Sequence, residues 1–295
     1  MLNIKAPAKI NLHLAVKGRR PDGFHDLESI FLALDWGDSL CFDCGGAEGQ
    51  CAIQTTWDIP IDGAVIQPEE NVVFKAVSLF RARSGFMQGL RIRLDKRIPL
   101  GAGLGGGSSD AAATLLALNQ LSDVELPLAA LRELAEDLGS DVPFFLSSGA
   151  AFVSGRGERV EPLVAPEGLS VVLVYPGFVS NTRRAFALLD ADGHERCVSR
   201  SREVLVQALG GKPADWPYHN DFLPVFLAAG TGVYRDLLGE LRRLGADFAS
   251  LSGSGSTCFG VFSDENVASR AVEAFRWCGG FICLTFPLAY STRGY

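Results

Sequence analysis

The sequence lacks an excess of positive charge. Its 27 lysines and arginines are outnumbered by 34 aspartates and glutamates, so the formal net charge is −7. An acidic chain is a poor match for a nucleic-acid backbone or an anionic membrane surface, because both are bound mainly through clustered cations. We therefore expect neither as a partner. A small polyanion can still be bound locally, through a helix end, a few cationic side chains and a metal ion.

Long hydrophobic runs are also missing. No apolar stretch approaches the roughly 20 residues that a membrane-spanning helix needs. Residues 1–7 contain no apolar signal-peptide core and lead directly into a predicted strand. Because 47% of the 295 residues are hydrophobic, we expect a globular, cytoplasmic protein with a sizeable core.

The cysteines form no complete disulfide or metal pattern. There are seven of them, an odd number at irregular spacing, which is typical of free thiols in a reducing compartment. Cys41 and Cys44 have the spacing of a zinc-binding pair, but no second pair and no paired histidines complete four ligands. We therefore predict no zinc site and assign no residue as a dedicated metal ligand.

A glycine run between residues 99 and 110 is the most informative stretch. Five glycines in seven residues allow positive φ and let backbone N–H groups converge on a ligand. Strong helix formers follow, so the free N–H groups and positive dipole end of a helix point to the same place. Such a loop holds phosphate without many basic residues. A flexible linker would not explain Ser108, Ser109 and Asp110, which are typical of a helix start.

Two known phosphate-binding motifs do not fit this loop. No lysine follows the glycines, which excludes the Walker A motif. Gly101, Gly103 and Gly106 match the spacing of the dinucleotide fingerprint, but that fingerprint follows a buried parallel strand. Residues 90–96 alternate between apolar and polar side chains and predict a half-exposed strand. Nicotinamide and flavin cofactors are therefore not expected.

Two further polar features are candidates for chemistry. Alternation in the first strand places Lys9, Asn11 and His13 on one face, which lines a cleft or is the solvated side of an edge strand. Asp141 stands before an apolar run, where it serves catalysis or caps the short helix that Pro143 would begin. Both choices stay open at this point.

The order of predicted elements indicates an α+β protein with two domains. Strands, the glycine loop and two helices fill the first half, residues 1–162. The second half, residues 163–295, reads as a strand, helical segments, two strands, a helix and a strand, which suits a ferredoxin-like α/β sandwich. Residues 190–215 are polar and poorly periodic, so we expect a connector there.

Three motifs follow one another along the chain, at residues 7–12, 99–112 and 251–256, with further distinctive segments at residues 22–27, 139–145 and 220–222. The three motifs resemble those of the GHMP kinase superfamily. The further segments resemble the branch of this superfamily that phosphorylates 4-diphosphocytidyl-2-C-methyl-D-erythritol. The resemblance spans nearly the whole chain.

The resemblance implies a two-domain GHMP kinase fold. The N-terminal domain (residues 1–162) would be ribosomal-S5-domain-2-like, the C-terminal domain (residues 163–295) ferredoxin-like, and ATP and substrate would meet between them. It implies that ATP, with Mg²⁺, phosphorylates the 2-hydroxyl of this small-molecule substrate in non-mevalonate isoprenoid biosynthesis. A monomer or weak homodimer is expected. A kinase of homoserine, mevalonate or a sugar is an alternative, as is a nucleotide-binding sensor without turnover.

Roles for individual residues follow from the same resemblance. Asp141 would take or orient the proton of the attacking hydroxyl, while Lys9 would keep that carboxylate ionised and steady the phosphoryl group. ATP phosphates would lie in the loop of Pro99, Leu100, Gly101, Ala102, Gly103, Leu104, Gly105, Gly106, Gly107, Ser108 and Ser109. The second substrate would contact Asn11, Phe24, His25, Thr182, Phe186, Gly253 and Gly255.

The cytidine end has its own expected contacts. His25 would hydrogen-bond the cytosine edge and Phe24 would stack on the ring. Phe24 stands where relatives commonly carry tyrosine, so a phenol hydroxyl contact is absent. Phe186 would cover the base from the opposite side, or is simply a buried residue of its helix. For Asp221, helix capping is the simpler account.

Overall fold

The computed structural model describes residues 1–58, 70–147, 149–191, 200–275 and 279–288. These ranges contain both helices and strands, and single-turn 3₁₀ helices lie at Pro143–Leu146 and Pro213–Asp215. In chain order the elements are β1 (Leu2–Arg19), β2 (His25–Cys44), β3 (Cys51–Trp57), α1 (Val72–Ser84), β4 (Leu90–Lys96), α2 (Gly106–Leu121), α3 (Leu128–Leu138), β5 (Ala150–Gly155), β6 (Arg159–Leu163), β7 (Ser170–Tyr175), α4 (Thr182–Ala191), α5 (Arg202–Leu209), α6 (Phe222–Ala228), α7 (Val233–Arg243), β8 (Phe248–Leu251), β9 (Cys258–Phe262), α8 (Glu265–Ala274) and β10 (Phe281–Thr285).

The first sheet is built around β2. This strand pairs antiparallel with β1 along one edge and with β4 and β5 in succession along the other. β3 adds to β4 in parallel, and β6 adds to β5 antiparallel. The sequence predicts two strands, 29–34 and 38–43, where the structure has one of 20 residues. The strand is continuous because its second edge pairs with β5 over residues 27–32 and with β4 over residues 39–44.

The second sheet has the strand order β10-β7-β9-β8, and all of its pairs are antiparallel. Two βαβ-like halves with this order form a ferredoxin-like sandwich. The α+β class and the ferredoxin-like second half are therefore confirmed. The division at residues 162 and 163 stays a prediction. The described chain ends back on the first sheet, where the Leu288 backbone N–H donates to the Ala33 carbonyl at 2.8 Å.

Hydrophobic packing joins the two sheets. One cluster lies between the first sheet and helices α1–α3, and another fills the second sheet and its helices. A third cluster contains buried side chains of both sheets, including Ile10, Leu32, Leu173 and Phe259. Burying each such side chain contributes about 1.5–3 kcal/mol, so the two halves are held together by a shared core.

Bulges in β1 reorient its polar residues. The pairing register with β2 shifts between Pro7 and Lys9 and again between Asn11 and His13. A bulge inserts an unpaired residue and redirects the side chains that follow. Strict alternation is therefore broken where the polar residues stand, and all three of Lys9, Asn11 and His13 are buried.

The expected connector at 190–215 is only partly correct. Helix α5 lies within it, with Leu205 and Leu209 buried on one face four residues apart. Residues 192–199 lie outside the described ranges. The sequence pattern also predicts a helix over residues 265–277; the structure has α8 at Glu265–Ala274, and residues 276 and 277 lie outside the described ranges. Among the described residues, none of the helices combines the length and hydrophobicity needed to cross a bilayer.

Candidate active site

A cleft of about 660 Å³ is lined by residues of both halves of the molecule. The first half contributes β1, β2, the glycine loop and Asp141, and the second contributes α4 and the loop between β8 and β9. A larger groove of about 1270 Å³ lies elsewhere and contains none of the predicted site residues. Because the cleft gathers polar groups that the sequence pattern had singled out, we take it as the candidate site.

Lys9 and Asp141 meet in this cleft. The Lys9 Nζ lies 3.2 Å from the Asp141 Oδ2, 2.7 Å from the Asn11 Oδ1 and 4.3 Å from the centroid of the Phe31 ring. The Lys9 side chain is only 5% exposed, whereas the Asp141 side chain is 31% exposed. Lys9 and Asn11 thus line a cleft and do not form a solvated strand face, whereas His13 is buried away from the cleft lining.

Asp141 does not cap the helix that follows it. Val142 occupies the N-cap position of the 3₁₀ helix Pro143–Leu146, and no side chain accepts a capping hydrogen bond there. The carboxylate instead faces Lys9 and keeps one side open to the cleft. A carboxylate in this position can accept a proton from a bound hydroxyl.

Asn11 is oriented by its two neighbours. Its Oδ1 accepts from Lys9, and its Nδ2 donates to the Ser29 Oγ at 3.0 Å. The Ser29 hydroxyl in turn donates to the His13 carbonyl. These bonds fix the amide, so the Lys9 ammonium is held at one point in the cleft.

The glycine loop requires glycine at alternate positions. Gly101, Gly103 and Gly105 have φ values of 60°, 78° and 73°. A Cβ at Gly103 would lie 2.2 Å from the Ser252 carbonyl oxygen, and one at Gly105 would lie 2.9 Å from the Lys9 Cγ. These two glycines line the cleft. The loop therefore needs positive φ and close approach together.

Helix α2 begins earlier than the sequence suggests. Gly105 is its N-cap, without a side-chain capping bond, so Ser108, Ser109 and Asp110 lie inside the first turns. The leading backbone N–H groups lack both an intrahelical acceptor and a side-chain cap, which leaves them available to an anion. Ser109 is buried, and its hydroxyl has no hydrogen-bond partner among the residues described.

The two glycine loops bind each other. The Ser252 hydroxyl donates to the Gly103 carbonyl at 2.8 Å, and the Thr257 backbone N–H donates to the Ala102 carbonyl at 3.1 Å. Gly253 lines the cleft, whereas Gly255 does not and instead approaches Tyr234, whose Oη would lie 2.8 Å from an added Cβ.

Asn220 holds the second loop and was missed by the sequence argument. Its Nδ2 donates to the carbonyls of Leu251 at 2.7 Å and Gly253 at 2.8 Å. Its Oδ1 also accepts from the Phe222 N–H at the start of α6. The capping role expected of Asp221 therefore belongs to Asn220. The Asp221 Oδ2 accepts from the Val16 N–H at 2.7 Å instead.

Aromatic residues lie at the other end of the cleft. The His25 ring stacks on Phe186 with centroids 4.5 Å apart, and its Nε2 lies 2.8 Å from the Asp190 Oδ1. Phe24 is 52% exposed. Phe186 also meets Phe222 edge-on at 5.0 Å, so it both lines the cleft and packs against the core. Sequence reasoning missed Asp190, which it placed at the start of a connector.

Thr182 closes the second half of the cleft. Its Oγ1 lies 3.0 Å from the Ser254 Oγ, and both residues line the cleft. The neighbouring Ser180 donates its backbone N–H to the Gly101 carbonyl at 3.1 Å. The start of α4 is thus tied to both glycine loops.

A buried charge cluster lies beneath the glycine loop. The Lys96 Nζ contacts the carboxylates of Asp38 and Asp110, with the Asp110 Oδ2 at 2.6 Å. Burial raises the pKa of Asp110 to about 8. Burial by itself would lower the pKa of Lys96, but the two carboxylates raise it above its ordinary value. This cluster was also missed, because Asp38 and Lys96 are far apart in the sequence.

The cluster connects the two ends of the loop. The Asp38 Oδ1 accepts from the backbone N–H groups of Arg97 at 2.6 Å and Ile98 at 2.8 Å, where the loop is entered. Asp110 lies in α2, where the loop is left. Lys96 bridges the two carboxylates, so the entry and exit of the loop are fixed relative to each other.

Comparisons with known proteins agree with this geometry. Residues 71–149 match the family described as GHMP kinases N terminal domain, and residues 216–277 match the family described as GHMP kinases C terminal. Over 288 residues the chain is 38% identical to the 4-diphosphocytidyl-2-C-methyl-D-erythritol kinase of Treponema pallidum (strain Nichols), a match that covers 94% of this chain and 96% of the relative.

Solved structures give the same result. A crystal structure of 4-(cytidine 5'-diphospho)-2C-methyl-D-erythritol kinase is similar with a TM-score of 0.77 and 35% identity, over 96% of this chain and 98% of that one. Homoserine kinase from Cytophaga hutchinsonii has a TM-score of 0.68 at 21% identity over 97% and 96%, which shows the fold alone. The similarity to the two 4-diphosphocytidyl-2-C-methyl-D-erythritol kinases extends over nearly the full length of the chain, at 38% and 35% identity. The chain therefore belongs to the 4-diphosphocytidyl-2-C-methyl-D-erythritol kinase family of the GHMP kinases.

Proposed function

We propose that this protein transfers the γ-phosphoryl group of ATP to the 2-hydroxyl of 4-diphosphocytidyl-2-C-methyl-D-erythritol. This reaction is a step of the non-mevalonate route to isoprenoid precursors. The observation that carries the proposal is the Lys9–Asp141 pair, 3.2 Å apart in a cleft that both glycine loops border. Family membership supplies the reaction, and the pair supplies the groups that the reaction needs.

ATP is held by the first glycine loop in this proposal. Phosphoryl transfer requires alignment and charge stabilisation more than covalent chemistry, and backbone N–H groups provide both. The uncapped first turn of α2, with Gly105 at its N-cap, supplies such groups. Pro99 to Ser109 would surround the phosphates, and Gly103 and Gly105 would border the transferring group.

Mg²⁺ would accompany ATP and be held mainly by its phosphates. Oxygen donors suit this ion, and the protein oxygens that would hold it are those of Ser108, in the first turn of α2, and Asp141, in the cleft lining. When bound, the ion neutralises charge on the phosphates. In the ranges described, no three histidine, cysteine, aspartate or glutamate side chains gather into a metal-binding group. Two oxygen donors are compatible with an ion whose other ligands come from phosphate and water.

Proton transfer is assigned to Asp141. Its exposed carboxylate oxygen would accept the proton of the 2-hydroxyl as the hydroxyl oxygen attacks phosphorus. Lys9, fixed by Asn11 at 2.7 Å, would hold the carboxylate in position and stabilise charge on the transferring group. Asn11 would also contact the methylerythritol part of the substrate.

The cytosine end is assigned to Phe24, His25 and Phe186. Because the His25 and Phe186 rings already stack at 4.5 Å, a base has no room between them. The base would therefore stack on the exposed Phe24 or displace Phe186, while the edge of His25 reads it. Thr182 and Gly253 would close over the substrate from the second half.

The sharpest test offers three alcohols to the protein with ATP and Mg²⁺. We expect ADP release with 4-diphosphocytidyl-2-C-methyl-D-erythritol and not with mevalonate or homoserine. Turnover of another alcohol would overturn the substrate assignment, and ATP binding without turnover of any of the three would indicate a sensor. We further propose a cytoplasmic enzyme that is a monomer or weak homodimer, which sedimentation of the purified protein would test.

A further inference from the structure

Arg156 contributes a cation to the lining of the cleft, and its charge interacts with that of the exposed Asp22 in the turn before β2. It lies in the turn between β5 and β6 and is half-buried. Its guanidinium carbon lies 5.0 Å from the centroid of the Phe24 ring. No carboxylate of the described ranges forms a salt bridge with this guanidinium, although the cleft lining also contains Asp141 and Asp190.

The turn that carries Arg156 is held by a hydrogen bond and adjoins the reacting groups. Gly155 and Gly157 on either side have φ values of 70° and 117°. The Arg156 backbone N–H donates to the Glu158 Oε2 at 2.6 Å. A Cβ at Gly157 would lie only 3.5 Å from the Asp141 Oδ1. Arg156 therefore stands between Phe24 at the base-binding end and Asp141 at the phosphoryl-transfer end.

The covalent order of the substrate matches this placement. In a cytidine diphosphate-linked polyol, the diphosphate joins the nucleoside to the carbon chain that bears the reacting hydroxyl. If the base lies at Phe24 and the hydroxyl at Asp141, the diphosphate must lie between them. Its negative charge requires a counter-charge there, because the net charge of the protein is −7 and the adjoining Asp141 is itself acidic.

We propose that Arg156 binds the diphosphate of the nucleotide-linked substrate and thereby determines specificity, a proposal that rests on the function assigned above. A guanidinium offers planar, paired N–H donors that fit phosphate oxygens. Stacking on Phe24 holds the group in place before substrate arrives, so little side-chain freedom is lost on binding. Lys9 does not substitute for it, since Lys9 is already bound by Asp141 and Asn11.

Cytidine 5'-diphosphate and cytidine differ only in the diphosphate, so comparing their affinities tests whether Arg156 binds that group. We compare the wild type with Arg156→Gln by calorimetry. The expected result is a loss of about tenfold or more in affinity for the diphosphate, with cytidine binding changed by less than about twofold. Arg156→Lys keeps the charge but not the paired donors, so we expect an intermediate loss. Equal binding of the diphosphate by wild type and Arg156→Gln would overturn the proposal.

Steady-state kinetics give a second measurement. The KM for 4-diphosphocytidyl-2-C-methyl-D-erythritol should rise about tenfold in Arg156→Gln, with the KM for ATP unchanged. Arg159→Gln is the matched control, since Arg159 is 71% exposed at the start of β6. If wild type does not turn over the cytidyl substrate, the proposed function fails. If wild type does and Arg156→Gln keeps the same KM, only the role of Arg156 fails.

Discussion

Lys9 and Asp141 differ in how far each is removed from water. The Lys9 side chain is 5% exposed, and the only carboxylate within ion-pair distance in the described ranges is on Asp141, which is 31% exposed. Burying an ammonium costs several kcal/mol, and a half-open carboxylate repays only part of this. An ion pair of this kind adds little to folding. Its geometry is better explained by chemistry, because Lys9 is fixed while one side of Asp141 is left for a ligand.

Replacing Asp141 by asparagine removes the proton acceptor and keeps the shape. We expect kcat to fall by about 10²- to 10⁴-fold, the range for loss of a general base, with ATP binding retained. ADP release at saturating substrate and ATP titration measure the two effects. Asp137→Asn, an exposed change in α3, is the control and should leave both unchanged. A kcat within about tenfold of wild type for Asp141→Asn would contradict the base assignment.

At the scale of the elements, the conformation of the glycine loop depends on its contact with the loop between β8 and β9. Gly103 tests this dependence, because it has φ 78° and an added Cβ would lie 2.2 Å from the Ser252 carbonyl. We expect Gly103→Ala to separate the loops, weaken ATP binding by about tenfold or more and cost about 1–3 kcal/mol of stability. ATP titration and urea unfolding measure these changes.

A matched glycine substitution controls for this experiment. Gly239 lies within helix α7, and nothing is found within 4 Å of an added Cβ. Gly239→Ala should raise the free energy of unfolding by about 0.5–1 kcal/mol, because alanine loses less backbone entropy in a helix. If Gly103→Ala behaves in the same way, close approach of the two loops is not what requires glycine.

The Lys96 cluster should stabilise the elements at both ends of the glycine loop. Lys96→Met would leave Asp38 and Asp110, each 2% exposed, without their cation. Removing one member of a buried charge group costs about 3–5 kcal/mol. Urea unfolding should show this loss. Lys5→Met is the control, because its pair with Asp35 is exposed and contributes less than about 1 kcal/mol. Equal losses in the two variants would contradict a structural role for the cluster.

At the scale of the whole molecule, the two halves meet at a pair of histidines. The His13 ring on β1 lies 4.5 Å from the His219 ring, edge to face, and its Nδ1 accepts from the His219 backbone N–H at 3.3 Å. Burial, and then the nearby His219, lower the pKa of His13 to about 3 from its ordinary 6.5. Protonation is therefore disfavoured at the junction between the halves.

This shift predicts acid destabilisation. Between about pH 3 and pH 6.5 the unfolded chain binds a proton at His13 that the folded chain does not, so the free energy of unfolding falls as pH falls. Going from about pH 7.5 to pH 5, His13 accounts for a loss of about 2 kcal/mol. Urea unfolding of wild type and His13→Asn at both pH values measures it. The variant should lose about 2 kcal/mol less over this interval; an equal loss would contradict the assignment.

Local patterns in the sequence determine the chemistry and the elements of this protein. The glycine run predicts a phosphate loop before a helix, and alternation in residues 90–95 predicts β4, because both depend on backbone preferences of neighbouring residues. Motif order predicted the kinase family and singled out Lys9 and Asp141. These two are brought to 3.2 Å by the fold, as the family resemblance implies.

Tertiary structure alone decided which distant residues support the site. Lys96 meets Asp38 across 58 positions, His25 meets Asp190 across 165, and no local pattern encodes such pairs. The same holds for Asn220 beneath the second loop and Arg156 against Phe24. The alternating pattern of β1 also could not decide whether its polar residues are buried, since an alternating strand is compatible with solvent or a cleft on its polar side. Only the packing of the second half against the first excludes solvent there.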